Sequence, residues 1–249
     1  MDYSRFAAKC VEELKILQDK FQHDYNLTWY ENWFYDQITG LLTFSTQELK
    51  LNFKYIHVGS YSEKSKTWKW SWDNDHTLDK VKEATNRIKD FGQRSNFPKL
   101  TEGYFPSDEI EAWEFTAIAA KLLNGIGVYR PVNDTGLRIF LVITEFVDDD
   151  TAQKIKDKYI ECRAHDKQRT AFVCKHLLLA SKVGFNEAFE TSEGMELSDD
   201  DDFQGWCDEC EVIRQKEGEW NDASMAFAEI KLVCERCYFE IKEQNLGHR

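Results

Sequence analysis

Along residues 5–22, Phe6, Cys10, Leu14, Leu17 and Phe21 recur at steps of three and four, the pattern of one face of an amphipathic helix. From Leu27 to Trp72 the period falls to two. Aromatic and β-branched residues alternate with polar ones, which predicts strands, with Thr39-Gly40 and Val58-Gly59-Ser60 as turns. In TWKWSWDN (67–74), Trp68, Trp70 and Trp72 share one face, while Thr67, Lys69 and Ser71 take the other. Tryptophans so arranged can stack on sugars or bases, but their commoner place is the centre of a sheet's core. Helices return at 77–95 and 108–124. Ser107 is placed to open the second, with Asp108 and Glu109 in its first turn and Gly125 to close it. GLRIFLVITEF (136–146) is too short for a confident helix and rich in branched residues, so it predicts a buried strand.

The acidic run Asp148–Asp150 marks the expected boundary between a domain at 1–147 and another at 151–249. Past it, 151–164 reads as helical and ELSDDDDF (196–203) as a solvated loop. EGEWNDASMAFAEIK reads as a helical or irregular insert before a short strand at Ile230–Val233. The expected fold class is α+β: an antiparallel sheet with packed helices, plus a small zinc-ribbon-like C-terminal module.

Composition narrows the function classes. With 42% hydrophobic and 31% charged residues, the 249-residue chain has globular values and room for a large core. A net charge of −13 repels phosphate backbones and anionic membranes and favours basic protein partners. One local exception is SEKSKTWKW (62–70), where lysines interleave with tryptophans, but a solvated strand face explains it without a nucleic acid. MDYSRFAAKCVEELK lacks the apolar core of a signal peptide, and no apolar run has the length of a membrane span, so a cytoplasmic location is expected. In that reducing setting, seven cysteines argue for thiols or metal ligands and against a disulfide framework. Cys10, alone on its apolar stripe, reads as a core residue.

The WKWSWDN element, the stretch EAWEFTAIAAKLLNGIGVYRP (111–131) and the strand after it resemble a bacterial domain family with no assigned activity. Its marks are a Trp-x-Trp-x-Trp-x-Asn strand and an Ala-rich helix ending in a Gly-x-Tyr-Arg turn. The resemblance covers residues 5–147. It implies an α+β fold and transfers no catalytic residue.

Chemistry concentrates beyond it. Cys207-Asp-Glu-Cys210 and Cys234-Glu-Arg-Cys237 share the two-residue spacing that lets one tight turn aim two sulfurs at a single point. Two such turns make a four-thiolate shell suited to Zn²⁺, so Cys207, Cys210, Cys234 and Cys237 are expected to form one zinc site. Cys162, His165, Cys174 and His176 offer a looser second set. Trp206-Cys207-x-x-Cys210 has thioredoxin-like spacing, but Pro98, Pro106 and Pro131 all precede it, and Asp208, Glu209 and Glu211 disfavour a reactive thiolate. A zinc deaminase needs Pro-Cys-x-x-Cys with an upstream His-x-Glu, and neither occurs. His-Glu-x-x-His, Gly-x-Ser-x-Gly and a phosphate-binding glycine loop are also missing.

A four-thiolate shell leaves no position for water or substrate. The expectation is thus a non-enzymatic, zinc-stapled protein that engages a basic protein partner, in the way an inhibitor or immunity protein engages a toxin. The alternative is a metal-dependent hydrolase using Cys162, His165, Cys174 and His176 as an incomplete shell. The sequence leaves oligomeric state open.

Overall fold

A computed structural model describes residues 2–131, 136–195, 197–198 and 201–246. The chain divides into two units, Met1–Ala152 and Gln153–Arg249. Of the acidic stretch 196–203, Glu196, Asp199 and Asp200 lie outside the described residues.

In the first unit, helix α1 (Tyr3–Asp24) starts where the Asp2 carboxylate accepts the Arg5 N–H at 3.0 Å. It buries Phe6, Ala7, Cys10, Leu14 and Phe21, largely the stripe seen in the sequence. There follow β1 (Asn32–Asp36), β2 (Leu41–Ser45), β3 (Lys50–Ser62), β4 (Thr67–Trp70), α2 (Asp79–Ser95), α3 (Pro98–Thr101), β5 (Tyr104–Pro106), α4 (Glu109–Leu122), β6 (Gly127–Tyr129) and β7 (Leu137–Val147). The strands form an antiparallel sheet ordered β1-β2-β3-β4-β5, with β7 paired to β3 and β6 to β7. The continuous apolar run of β7 has a simple cause. Successive side chains face opposite ways, so Phe140 and Val142 enter one buried cluster while Leu141 and Ile143 enter another.

Trp68 and Trp70 are fully buried and meet edge to face at 5.1 Å, and the Trp70 indole donates to the Lys99 carbonyl at 2.9 Å. They are core. Trp72 does not continue the strand; it sits in a single 3₁₀ turn, Ser71–Asp73, and is part-buried against the same cluster. Val58-Gly59-Ser60 is not a turn but lies inside β3, beside a register shift. Glycine is required there because a Cβ at Gly59 would lie 2.3 Å from the Trp68 ring.

Two cap assignments change. Asp108, not Ser107, caps α4, its carboxylate accepting the Glu111 N–H at 2.9 Å. The left-handed residue after α4 is Asn124, with φ 55°. Gly125 is small for another reason: a Cβ there would meet Val142 at 2.6 Å.

The division between units falls within α5 (Asp149–Asp157). Asp148 takes up the Thr151 N–H and hydroxyl at 2.8 Å each, so the acidic run begins a helix. The second unit continues with β8 (Tyr159–Cys162), β9 (Asp166–Val173), β10 (Asn186–Glu187), β11 (Phe203–Trp206), α6 (Asp208–Glu217), α7 (Asp222–Ala228), β12 (Lys231–Cys234) and α8 (Glu235–Leu246). The helix expected over 151–164 stops at Asp157, because Tyr159–Cys162 pair with Arg169–Asp166 as a hairpin. Strand β9 is the hub. β8 and β12 run antiparallel to it, β11 runs parallel, and β10 pairs antiparallel with β11.

Two candidate metal centres around one strand

Four short segments bring sulfur and imidazole donors to the ends of β9. Cys162 and His165 lie in the turn of the β8–β9 hairpin, where Asp166 takes a left-handed φ of 55°. Cys174 and His176 follow the far end of β9. Cys207 is the cap residue of α6, and Cys210 lies in that helix's first turn. Cys234 ends β12 immediately before α8, and Cys237 lies in the first turn of α8. Each Cys-x-x-Cys pair thus sits at a strand-to-helix junction. The helix N-terminus favours thiolate there, and the backbone assists. The Cys210 N–H reaches the Cys207 sulfur at 3.5 Å, and the Cys237 N–H reaches the Cys234 sulfur at 3.4 Å.

Strand direction decides which pairs meet. Because β11 is parallel to β9, its C-terminal end delivers Cys207 beside Cys174; the Cys207 N–H donates to the Cys174 sulfur at 3.3 Å. Because β12 is antiparallel to β9, it runs the other way and delivers Cys234 toward the hairpin. Two groups result, Cys174/His176/Cys207/Cys210 and Cys162/His165/Cys234/Cys237, and in each the four donor atoms lie within 4.8 Å of one another. Each group can hold a metal ion.

This corrects the expected grouping. Cys207 and Cys210 do not share a point with Cys234 and Cys237, nor do Cys162 and His165 with Cys174 and His176. An eight-residue strand, about 25 Å long at 3.3 Å per residue, separates the latter two segments. All eight side chains fall in one or other group, and each cysteine pair lies with a Cys/His pair.

Both histidines present Nδ1. In the first group it lies 3.6 Å from the Cys207 sulfur and 3.3 Å from that of Cys210. In the second it lies 3.4 Å from Cys234, 3.4 Å from Cys237 and 3.9 Å from Cys162, and the Cys162 and Cys237 sulfurs are 3.8 Å apart. That spacing is far above the roughly 2.05 Å of a disulfide, and all seven cysteines are free thiols. His165 turns its Nε2 to the Glu240 carboxylate at 3.1 Å. The sequence carried no sign of this partner, since Glu240 lies on α8, 75 positions further along the chain.

Burial pushes the Cys207, Cys210 and Cys234 thiols above their ordinary range and raises Cys237 to about 12. Cys162 goes the other way, to about 7, chiefly because the Ala164 backbone N–H donates to it. Thiols so buried hold their protons until a cation displaces them. Cys174, Cys207 and Cys210 also belong to the second unit's twelve-residue buried cluster, so one donor set is part of that unit's core.

Fold and donor sets together define an α+β protein with a Cys/His-rich unit able to hold metal ions. Residues 4–146 match the model of a family of unknown function, DUF6882, and the chain belongs to that family. The match agrees with the resemblance read over 5–147 and ends before the first of the eight donors. No curated protein and no solved structure matches the chain. Among the described residues, no helix is long and apolar enough to cross a membrane.

Proposed function

We propose that the chain is a non-enzymatic zinc protein whose second unit holds two Cys₃His centres and which acts by binding another protein. The supporting observation is the shape of the donor sets. A regular tetrahedron with Zn–S near 2.3 Å needs sulfurs about 3.8 Å apart, and Zn–N near 2.0 Å puts nitrogen about 3.5 Å from each sulfur. The Cys162–Cys237 separation is 3.8 Å and the sulfur–Nδ1 distances run from 3.3 to 3.9 Å. Three thiolates and one imidazole are a soft, nitrogen-containing set that suits zinc over calcium or magnesium. Four protein ligands close the shell, which favours a structural ion over one that activates water.

The hydrolase alternative needed Cys162, His165, Cys174 and His176 around one ion with a position open. Their division between two four-donor groups removes that arrangement. Elemental analysis tests the proposal: two zinc ions per chain are expected, and a purified protein with none refutes it. Seven free thiols suit a reducing compartment such as the cytoplasm.

The partner we propose is a basic protein. The net charge of −13 attracts one, and the edge strand β1 offers aromatic surface on which cationic side chains can stack. Trp33 of that strand is 38% exposed and lines a groove of about 280 Å³ together with Phe21, Tyr30, Phe44 and Tyr129. Association should weaken as salt rises from low to physiological concentration. Binding unchanged by salt refutes the electrostatic part.

A further inference from the structure

We propose that the two centres differ in permanence. The Cys174/His176/Cys207/Cys210 centre is a fixed part of the fold. The Cys162/His165/Cys234/Cys237 centre is an exchangeable Zn²⁺ site, and Glu240 sets its hold on the ion through His165. This rests on the zinc reading above.

Three observations carry it. First, the groups are nested along the chain, the inner one spanning 36 positions from Cys174 to Cys210 and the outer one 75 from Cys162 to Cys237. Closing the inner loop therefore aligns β11 with β9 before the outer donors need to meet. Second, the inner sulfurs are enclosed, with Cys174, Cys207 and Cys210 at most 1% exposed, whereas Cys162 and Cys237 are only half-buried. A competing thiol or chelator reaches the outer ion first. Third, the outer histidine is held from outside. Its Nε2 lies 3.1 Å from the carboxylate of Glu240, whose side chain is 43% exposed. A carboxylate at that position favours the proton on Nε2 and leaves Nδ1 as the lone-pair nitrogen facing the three sulfurs, so Glu240 is a positioning residue for the ligand tautomer. The inner His176 instead rests on the Phe227 ring at 5.1 Å.

The test uses the full chain carrying its zinc. A metallochromic chelator should remove one equivalent quickly, with far-UV dichroism unchanged, and the second only together with unfolding of the second unit. Glu240→Ala should lower affinity for the first equivalent about 10–100-fold and leave the second unaltered. Glu240→Gln, which keeps an acceptor oxygen, should recover part of the loss. Cys162→Ser should retain one ion and a folded unit, and Co²⁺ added to the half-emptied wild type should produce the absorption of a tetrahedral cobalt–thiolate centre. Release of both ions in one phase, equal affinities in Glu240→Ala, or an unfolded Cys162→Ser protein would overturn the inference. A wild-type protein holding no zinc would instead overturn the underlying reading, before any variant is made.

Discussion

Replacing Cys207 by serine removes one thiolate from the inner centre, a residue that also caps α6 and sits 1% exposed in the core. A structural zinc contributes an apparent 10–16 kcal/mol at neutral pH. The folded state of a domain of this size is favoured by only about 5–15 kcal/mol in total. Serine is a poor zinc ligand, and its hydroxyl in this site would face two sulfurs and an imidazole. The loss is therefore comparable with the whole stability of the Gln153–Arg249 unit, which should unfold and release its second ion too. The Met1–Ala152 unit has its own core around Trp68 and Trp70 and should stay folded. Elemental analysis should fall from two zinc ions per chain to none. Limited proteolysis should degrade the chain from its C-terminal side to a resistant fragment ending near residue 150. Cys10→Ser is the control: it alters a buried cysteine of the first unit and should leave two ions in place. The reasoning fails if Cys207→Ser keeps either ion with the second unit still protected from protease.

Zinc loading should release up to three protons per centre, one for each thiolate, so affinity falls steeply as pH is lowered; calorimetry in buffers of different ionisation enthalpy counts them. Gly59→Ala should destabilise the first unit by about 2–3 kcal/mol in urea unfolding followed by tryptophan fluorescence, since the new Cβ would lie 2.3 Å from the Trp68 ring. His57 supplies a pH signature. Burial holds its imidazole down to about 4, and its Nε2 bonds the Gly59 carbonyl at 3.0 Å. In the unfolded chain it titrates near 6.5, so the folded state binds the proton less well. Its contribution is fully present above about pH 6.5 and is lost as pH falls toward 4, by about 3 kcal/mol. His57→Gln should flatten the stability profile of the first unit in that window.

How far the sequence reached differs between the two units. The helical stripe of α1, the alternation that became β1 to β4 and the apolar run of β7 were legible because burial on one face or two leaves a local period. The Val58-Gly59-Ser60 turn failed for a non-local reason: the glycine answers a tryptophan nine positions ahead. The helix expected through Cys162 failed likewise, because pairing with Asp166–Arg169 outweighed local propensity.

For the donors, sequence spacing was enough to name all eight residues and the tetrahedral chemistry they suit. It could not say which pairs meet. Spacing records only separation along the chain, and the four pairs can be joined in more than one way without violating it. The choice was made by the directions of β11 and β12 against β9, a property of the assembled sheet. One strand carries its cysteines to one end of β9, and the other carries them to the opposite end. Glu240 came to light only with the fold, because its link to His165 depends on how α8 lies against the hairpin.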